Sequence, residues 1–149
     1  MDTQDFTDLS VALTGVSEDQ LPAKLKRRVA DGREQEIRQI YLERLQASYA
    51  AEMEALSNVW QAAKATPDPV AELGKRFSQP DAQNLRTAAR EVIKIWYLTI
   101  IDDPQDPARK KQLAGDLGQY QLGVVWNLIN AHAPAYSFRR NGYWSAKPS

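Results

Sequence analysis

From Glu34 to Lys64 the chain holds neither glycine nor proline, and its apolar residues recur at steps of three and four. Ile37, Ile40, Tyr41, Leu45, Tyr49, Met53, Leu56, Val59, Trp60 and Ala63 fall on one stripe, with Arg44 in the same series. That period is helical, and a stripe of this length has to be buried against other elements. The spacing predicts a helix over 34–64. Thr66-Pro67-Asp68-Pro69 ends it, with Asp68 as the cap and Pro69 in the first position of a short helix carrying Val70, Leu73 and Phe77.

Most other segments read with the same period. Asp5 is placed to cap a first helix bearing Phe6, Leu9 and Leu13 and ended by Gly15. Ser17 and Gln20 have the capping-box spacing ahead of Leu21, Leu25 and Val29, though Pro22 makes that turn irregular. Asp31-Gly32 is a break or a weak point in a continuous helix. Leu85, Ala88, Ala89, Val92, Ile93, Trp96 and Ile100 mark a helix that is apolar on most sides near its end, the pattern of a central position. Asp102 to Pro107 reads as a loop. A last helix is expected over 119–130, with Leu122, Val125, Trp126 and Ile129 inward and Pro134 closing it. No stretch alternates with period two for long enough to make a sheet, and no 20–50-residue repeat is visible. The fold class expected is all-α: a helical bundle forming one domain over 1–149, with an extended, irregular, aromatic C-terminal tail over 134–149.

Composition removes several kinds of chemistry. The chain has no cysteine and one histidine, His132. Disulfides, thiolate nucleophiles and thiolate metal sites are excluded, as are His-rich sites. Lys and Arg number 19 and so do Asp and Glu, a balance that argues against nucleic acid as the main partner. The apolar run from Ile95 to Ile101 is far short of the roughly 20 residues of a membrane span. Met1 to Phe6 has neither a basic nor an apolar signal region, so the expectation is a cytoplasmic chain or one that starts at its mature end.

The polar clusters fit chemistry poorly. Asp102, Asp103 and Asp106 could attract a hard cation, but the spacing lacks the glycine and the terminal glutamate of a calcium loop, and a solvated loop is the better reading. His132 has no nucleophile or orienting acid near it in sequence. The seven glycines form no phosphate loop. Lys24, Lys26, Arg27 and Arg28 are flanked by acids and read as a solvated helix face. An enzyme working with carboxylates alone needs two facing acids, and no pair is evident. The expectation is no catalytic residue, no cofactor-binding residue and no metal ligand in this chain.

The C-terminal segment is different. Asp116 is the last acid, and residues 117–149 carry Arg139, Arg140 and Lys147, giving +3 against −3 for the remainder. Tyr120, Trp126, Tyr136, Phe138, Tyr143 and Trp144 lie in the same segment. Aromatic residues with arginine and without acids have the composition of an interface core. They equally suit a tail that folds back and fills a groove of its own bundle.

Ile95-Trp96-Tyr97-Leu98-Thr99-Ile100, Tyr120-Gln121-Leu122-Gly123-Val124-Val125-Trp126, Pro134-Ala135-Tyr136 and Gly142-Tyr143-Trp144-Ser145-Ala146-Lys147-Pro148 follow one another in order. With the opening Phe6-Thr7-Asp8-Leu9-Ser10-Val11-Ala12-Leu13-Thr14-Gly15, this series resembles the small subunit of bacterial FAD-dependent sugar and polyol dehydrogenases, the sorbitol, fructose and glucose dehydrogenases. The resemblance spans the chain, while the middle helices match in pattern only.

The resemblance implies a subunit without an active site. Its partner is a large flavoprotein of the glucose-methanol-choline type that holds FAD and oxidises the sugar, often joined by a cytochrome c subunit. The small subunit supports folding and FAD loading of the large one and usually carries the twin-arginine signal that exports both to the periplasm. That signal is not in this sequence, so the implied location is periplasmic if it was trimmed and cytoplasmic otherwise. Several members carry a cysteine after the Pro-x-Tyr that can bridge to the large subunit; Ser137 takes that place here, which makes the contact non-covalent. The expected partner interface is Pro134, Tyr136, Phe138, Arg139, Arg140, Tyr143, Trp144 and Pro148, with Tyr120 and Trp126 beneath. The alternative is a free-standing helical adaptor that binds another protein or peptide in a groove.

Overall fold

A computed structural model describes residues 1–106 and 108–128, and these are mostly helical. The order is α1 (Thr3–Thr14), β1 (Lys26–Arg28), β2 (Glu34–Glu36), α2 (Ile37–Ser48), α3 (Ala50–Ala63), α4 (Pro69–Phe77), α5 (Gln83–Leu98), β3 (Ile100–Asp102), β4 (Gln112–Ala114), α6 (Leu117–Gln121) and α7 (Val124–Leu128). The helical bundle expected from the apolar period is what forms.

Helix α5 is the centre. Val92, Ile95 and Trp96 are fully buried on it, and α1, α2, α3 and α4 all pack against it. Trp96 stacks on Phe6 of α1 at 5.9 Å between ring centres and meets the edge of Tyr41 of α2 at 5.0 Å. A buried aromatic of this size removes ~200 Å² from water, worth ~5 kcal/mol of transfer free energy. The α2–α3 stripe supplies the other wall through Leu45, Met53, Leu56, Trp60 and Ala63.

Several local expectations are corrected. Helix α1 starts earlier than expected: Asp2 is its cap, accepting the Asp5 N–H at 2.8 Å. Asp5 instead accepts from Lys64 at 2.6 Å and Gln61 at 2.8 Å, tying α1 to the end of α3. The helix foreseen after Ser17 does not form. Lys26–Arg28 pairs antiparallel with Glu34–Glu36 across Asp31-Gly32, with Lys26 opposite Glu36 and Arg28 opposite Glu34. Gly32 takes φ 85°, which a turn demands and a side chain resists. Asp31 clasps Arg33 through both the backbone N–H (3.0 Å) and Nε (2.7 Å). Opposite charges face each other across the ribbon, an arrangement worth ~0.2–1 kcal/mol per pair, and the Glu36 carboxylate itself pairs with Arg38 at 2.6 Å. The basic patch is therefore a strand, not a helix face.

The stretch from Glu34 to Lys64 is not one helix. Its first three residues are β2, and it breaks again at Tyr49, φ −133° and ψ 48°. The break lets the buried Tyr49 hydroxyl donate to the Asp102 carbonyl at 2.8 Å. A second ribbon follows α5, with Ile100, Ile101 and Asp102 opposite Ala114, Leu113 and Gln112. The last helix is split into α6 and α7. Gly123 lies so close to α5 that a Cβ there would stand 2.8 Å from the Tyr97 carbonyl oxygen. Asp68 and Pro69 behave as expected at the start of α4, with Asp68 accepting the Ala71 N–H at 3.0 Å.

Candidate protein interface

The segment that carries the aromatic residues begins with α6 and α7, and the second ribbon holds these two helices in place. Thr99 ends α5 in the left-handed region, φ 61°, unusual for a β-branched residue. Its fully buried position is fixed from both sides: its N–H bonds the Ile95 carbonyl at 3.0 Å, and its carbonyl accepts from the Gly115 N–H at 3.3 Å.

Arg44 organises this end. From α2, Nη1 donates to the Thr99 carbonyl (3.0 Å) and to Gln119 Oε1 (3.0 Å), and Nη2 donates to the Leu113 carbonyl (2.9 Å). One guanidinium thus joins the end of α5, strand β4 and helix α6. Burial pulls its pKa down, against the opposing pull of Tyr41 and Asp116. A guanidinium keeps its proton in spite of such a pull, and its fixed fork suits three carbonyl-type acceptors. Asp116 caps α6 by accepting the Gln119 N–H at 2.8 Å.

A second polar latch lies behind the ribbon. Glu91 of α5 is fully buried; its Oε2 accepts the Asp102 N–H at 2.7 Å and its Oε1 accepts Arg90 Nε at 3.0 Å. Lys94 pairs with Asp102 and stands 3.4 Å from Glu91. Burial pushes the Asp102 carboxyl up, but Lys94, Arg90 and Arg109 together outweigh it and hold the carboxyl below its ordinary value. The three aspartates that suggested a cation site go separate ways. Asp102 joins Lys94, Asp103 pairs with Lys111 at 3.0 Å, and Asp106 accepts backbone N–H groups of Ala108, Lys110 and Lys111. Among the described residues no group of three His, Asp or Glu side chains is placed to hold a metal ion. Among them, too, no helix is long and apolar enough to cross a membrane.

On this base sit two of the residues expected at the interface. Tyr120 and Trp126 meet edge to face at 5.4 Å and 77°, and the Trp126 indole N–H donates to the Tyr120 carbonyl at 3.0 Å. Both remain half-buried, and Leu128 just beyond is 53% exposed. Val124, 2% exposed, pins α7 to the body. Pro134, Tyr136, Phe138, Arg139, Arg140, Tyr143, Trp144 and Pro148 lie outside the described residues, as do His132 and Ser137.

The sequence reading did not single out Arg44 or Glu91 as organising residues. Arg44 stood in plain view as the one cation on an otherwise apolar helical stripe, and Glu91 falls on the buried side of α5 between Ala88 and Ile95. A charge on an inward stripe signals a polar hub, because burial without partners is too costly to persist. Comparison with family models, with curated proteins and with solved structures finds no match to this chain.

Proposed function

We propose that this chain is a non-catalytic accessory subunit that binds, stabilises and helps mature the FAD-containing catalytic subunit of a sugar or polyol dehydrogenase. The residue series from Phe6 to Pro148 quoted above supports the choice of partner. The observation that carries the reading is the Tyr120–Trp126 pair, held on a ribbon that Arg44 clamps to the bundle, at the point where the acid-free aromatic segment begins. A rigid base makes such a pair effective, since aromatic side chains ordered in advance lose little entropy on binding.

The work of this subunit is burial and shape. Binding the folded state of the large subunit and not its unfolded state shifts the partner's folding equilibrium by mass action. FAD and the hydride chemistry belong to the partner; the resemblance implies a periplasmic complex if an export signal was trimmed and a cytoplasmic one otherwise, often joined by a cytochrome c subunit.

Capture of the tagged chain from its source cells tests this. The eluate should be yellow and should reduce an electron-accepting dye when sugar or polyol is supplied. Tyr143→Ala combined with Trp144→Ala should cut the captured flavin at least tenfold, as expected for two hot-spot aromatics at about 2 kcal/mol each, with helicity by circular dichroism unchanged. A colourless eluate, or capture unaffected by the double substitution, contradicts the reading and favours a free-standing adaptor.

A further inference from the structure

An open groove of about 480 Å³ runs between α1, α4 and α5, away from the Arg44 clamp. Its walls are apolar: Leu13 from α1, Val70, Leu73 and Phe77 from α4, and Ile93 from α5. Val70 is 57% exposed, although it stands on the same face of α4 as the buried Leu73. The charged lining side chains are Arg86, Arg90 and Lys94, and among the described residues no acid lines the groove.

The charge the groove presents is positive. Among the described residues Arg86 bonds neutral oxygens only, the carbonyls of Phe77 and Gln79 and the amide of Gln83. Arg90 and Lys94 have carboxylate partners in Glu91 and Asp102, whose side chains are 0% and 10% exposed; Lys94, 18% exposed, is taken up by them, whereas the Arg90 side chain is 39% exposed and reaches the surface. Arg86 and Arg90 form the rim, and Lys94 with the two acids forms its backing.

Gly74 shapes the floor. It sits inside α4, where glycine costs ~1 kcal/mol relative to alanine. A Cβ built there meets no atom within 4 Å, so the fold does not require the missing side chain. What the glycine leaves is room, flanked by Ala12 and Ala89, for another backbone to approach closely.

We infer that the α1–α4–α5 groove docks an acidic amphipathic helix of a partner protein. Apolar residues of that helix, at spacings of three, four and seven, enter between Val70, Phe77 and Ile93, and its flanking carboxylates meet Arg86 and Arg90. The chain's own residues 117–149 have the wrong sign for this rim, with three cations and no acid. A second copy docked face to face would set rim against rim. The inference rests on this groove alone and does not depend on the partner being a flavoprotein.

The test is a titration of the full chain, followed by amide NMR, with a synthetic peptide of about five helical turns built from leucine and glutamate in that spacing. Saturable shifts should centre on Ala12, Gly74, Ala89 and Ile93. A peptide with lysine in place of glutamate, and one of shuffled order, should each bind at least tenfold more weakly. Gly74→Leu should weaken binding at least tenfold while keeping or raising the melting temperature, and Val70→Glu should do so from an exposed site. Equal binding of the three peptides, shifts centred elsewhere, or undiminished binding by both variants overturns the inference. So does a Gly74→Leu variant that, without peptide, moves the amides of residues 129–149 or dissociates a dimer, since the occupant is then this chain itself.

Discussion

The two ends of helix α5 are held by different physics. Over most of its length, Val92, Ile95 and Trp96 are buried among Phe6, Tyr41 and the α2–α3 stripe, and attachment comes from apolar area spread over many residues. Beyond Thr99, Ile101 and Val124 still enter the core, but the attachment leans on a few polar side chains: Arg44 on three acceptors, Glu91 on the Asp102 N–H, and Tyr49 on the Asp102 carbonyl. The first kind of attachment fails all at once. The second can be undone by one side chain while the bundle persists. Held by these fixed hydrogen bonds, the Tyr120–Trp126 pair is ordered before a partner arrives, and undoing that order is a local event that leaves the bundle folded.

The contrast makes ordered predictions. Trp96→Ala should cost about 3–5 kcal/mol and lower the melting temperature of every helix together. Arg44→Met keeps the stem but orphans the acceptors. It should cost about 2–3 kcal/mol and act locally, so that hydrogen exchange speeds up at Ile101, Leu113 and Gln119 and stays slow at Leu45 and Val92. Uniform loss of protection across both sets would break the distinction between the two ends.

The smallest effects separate two tyrosines. Tyr49 has a partner for its hydroxyl, while Tyr41 is buried without one among the described residues. Tyr49→Phe should cost about 1 kcal/mol, and Tyr41→Phe should be neutral or slightly stabilising. Burial, aided by Glu91 and Asp102, pushes the Tyr49 phenol up to about 12 from its ordinary 10. A group with a raised folded value contributes fully below the unfolded value and loses that contribution as pH rises. Stability should therefore fall between about pH 10 and 12, and the fall should be shallower in Tyr49→Phe, as followed by denaturant melts across that range.

The same contrast explains what the sequence reveals. Apolar period alone locates α1, α4, α5 and most of the α2–α3 stripe, because each is decided by which face is buried. It misses the Tyr49 break, since Ser48, Tyr49 and Ala50 contain no helix breaker and the cause is a hydrogen bond to a residue far along the chain. The first ribbon escapes the apolar period: Lys26-Arg27-Arg28 and Glu34-Gln35-Glu36 hold no apolar side chains to alternate, and they come opposite one another only once the chain turns at Asp31-Gly32. The second escapes it because Thr99 takes the left-handed region with Arg44 and Gly115 bonded to its carbonyl. Of the expected interface, Tyr120 and Trp126 do come together, on a base that period cannot foresee because it is polar.

Arg44→Met tests most directly whether this base serves partner binding. Capture of the proposed FAD-containing partner by wild-type and variant chains should be measured with helicity and ribbon hydrogen exchange on the same samples. Captured flavin should fall at least tenfold, with helicity retained and exchange accelerated only in the ribbon and α6. Full capture by a variant whose ribbon amides have opened would contradict that role.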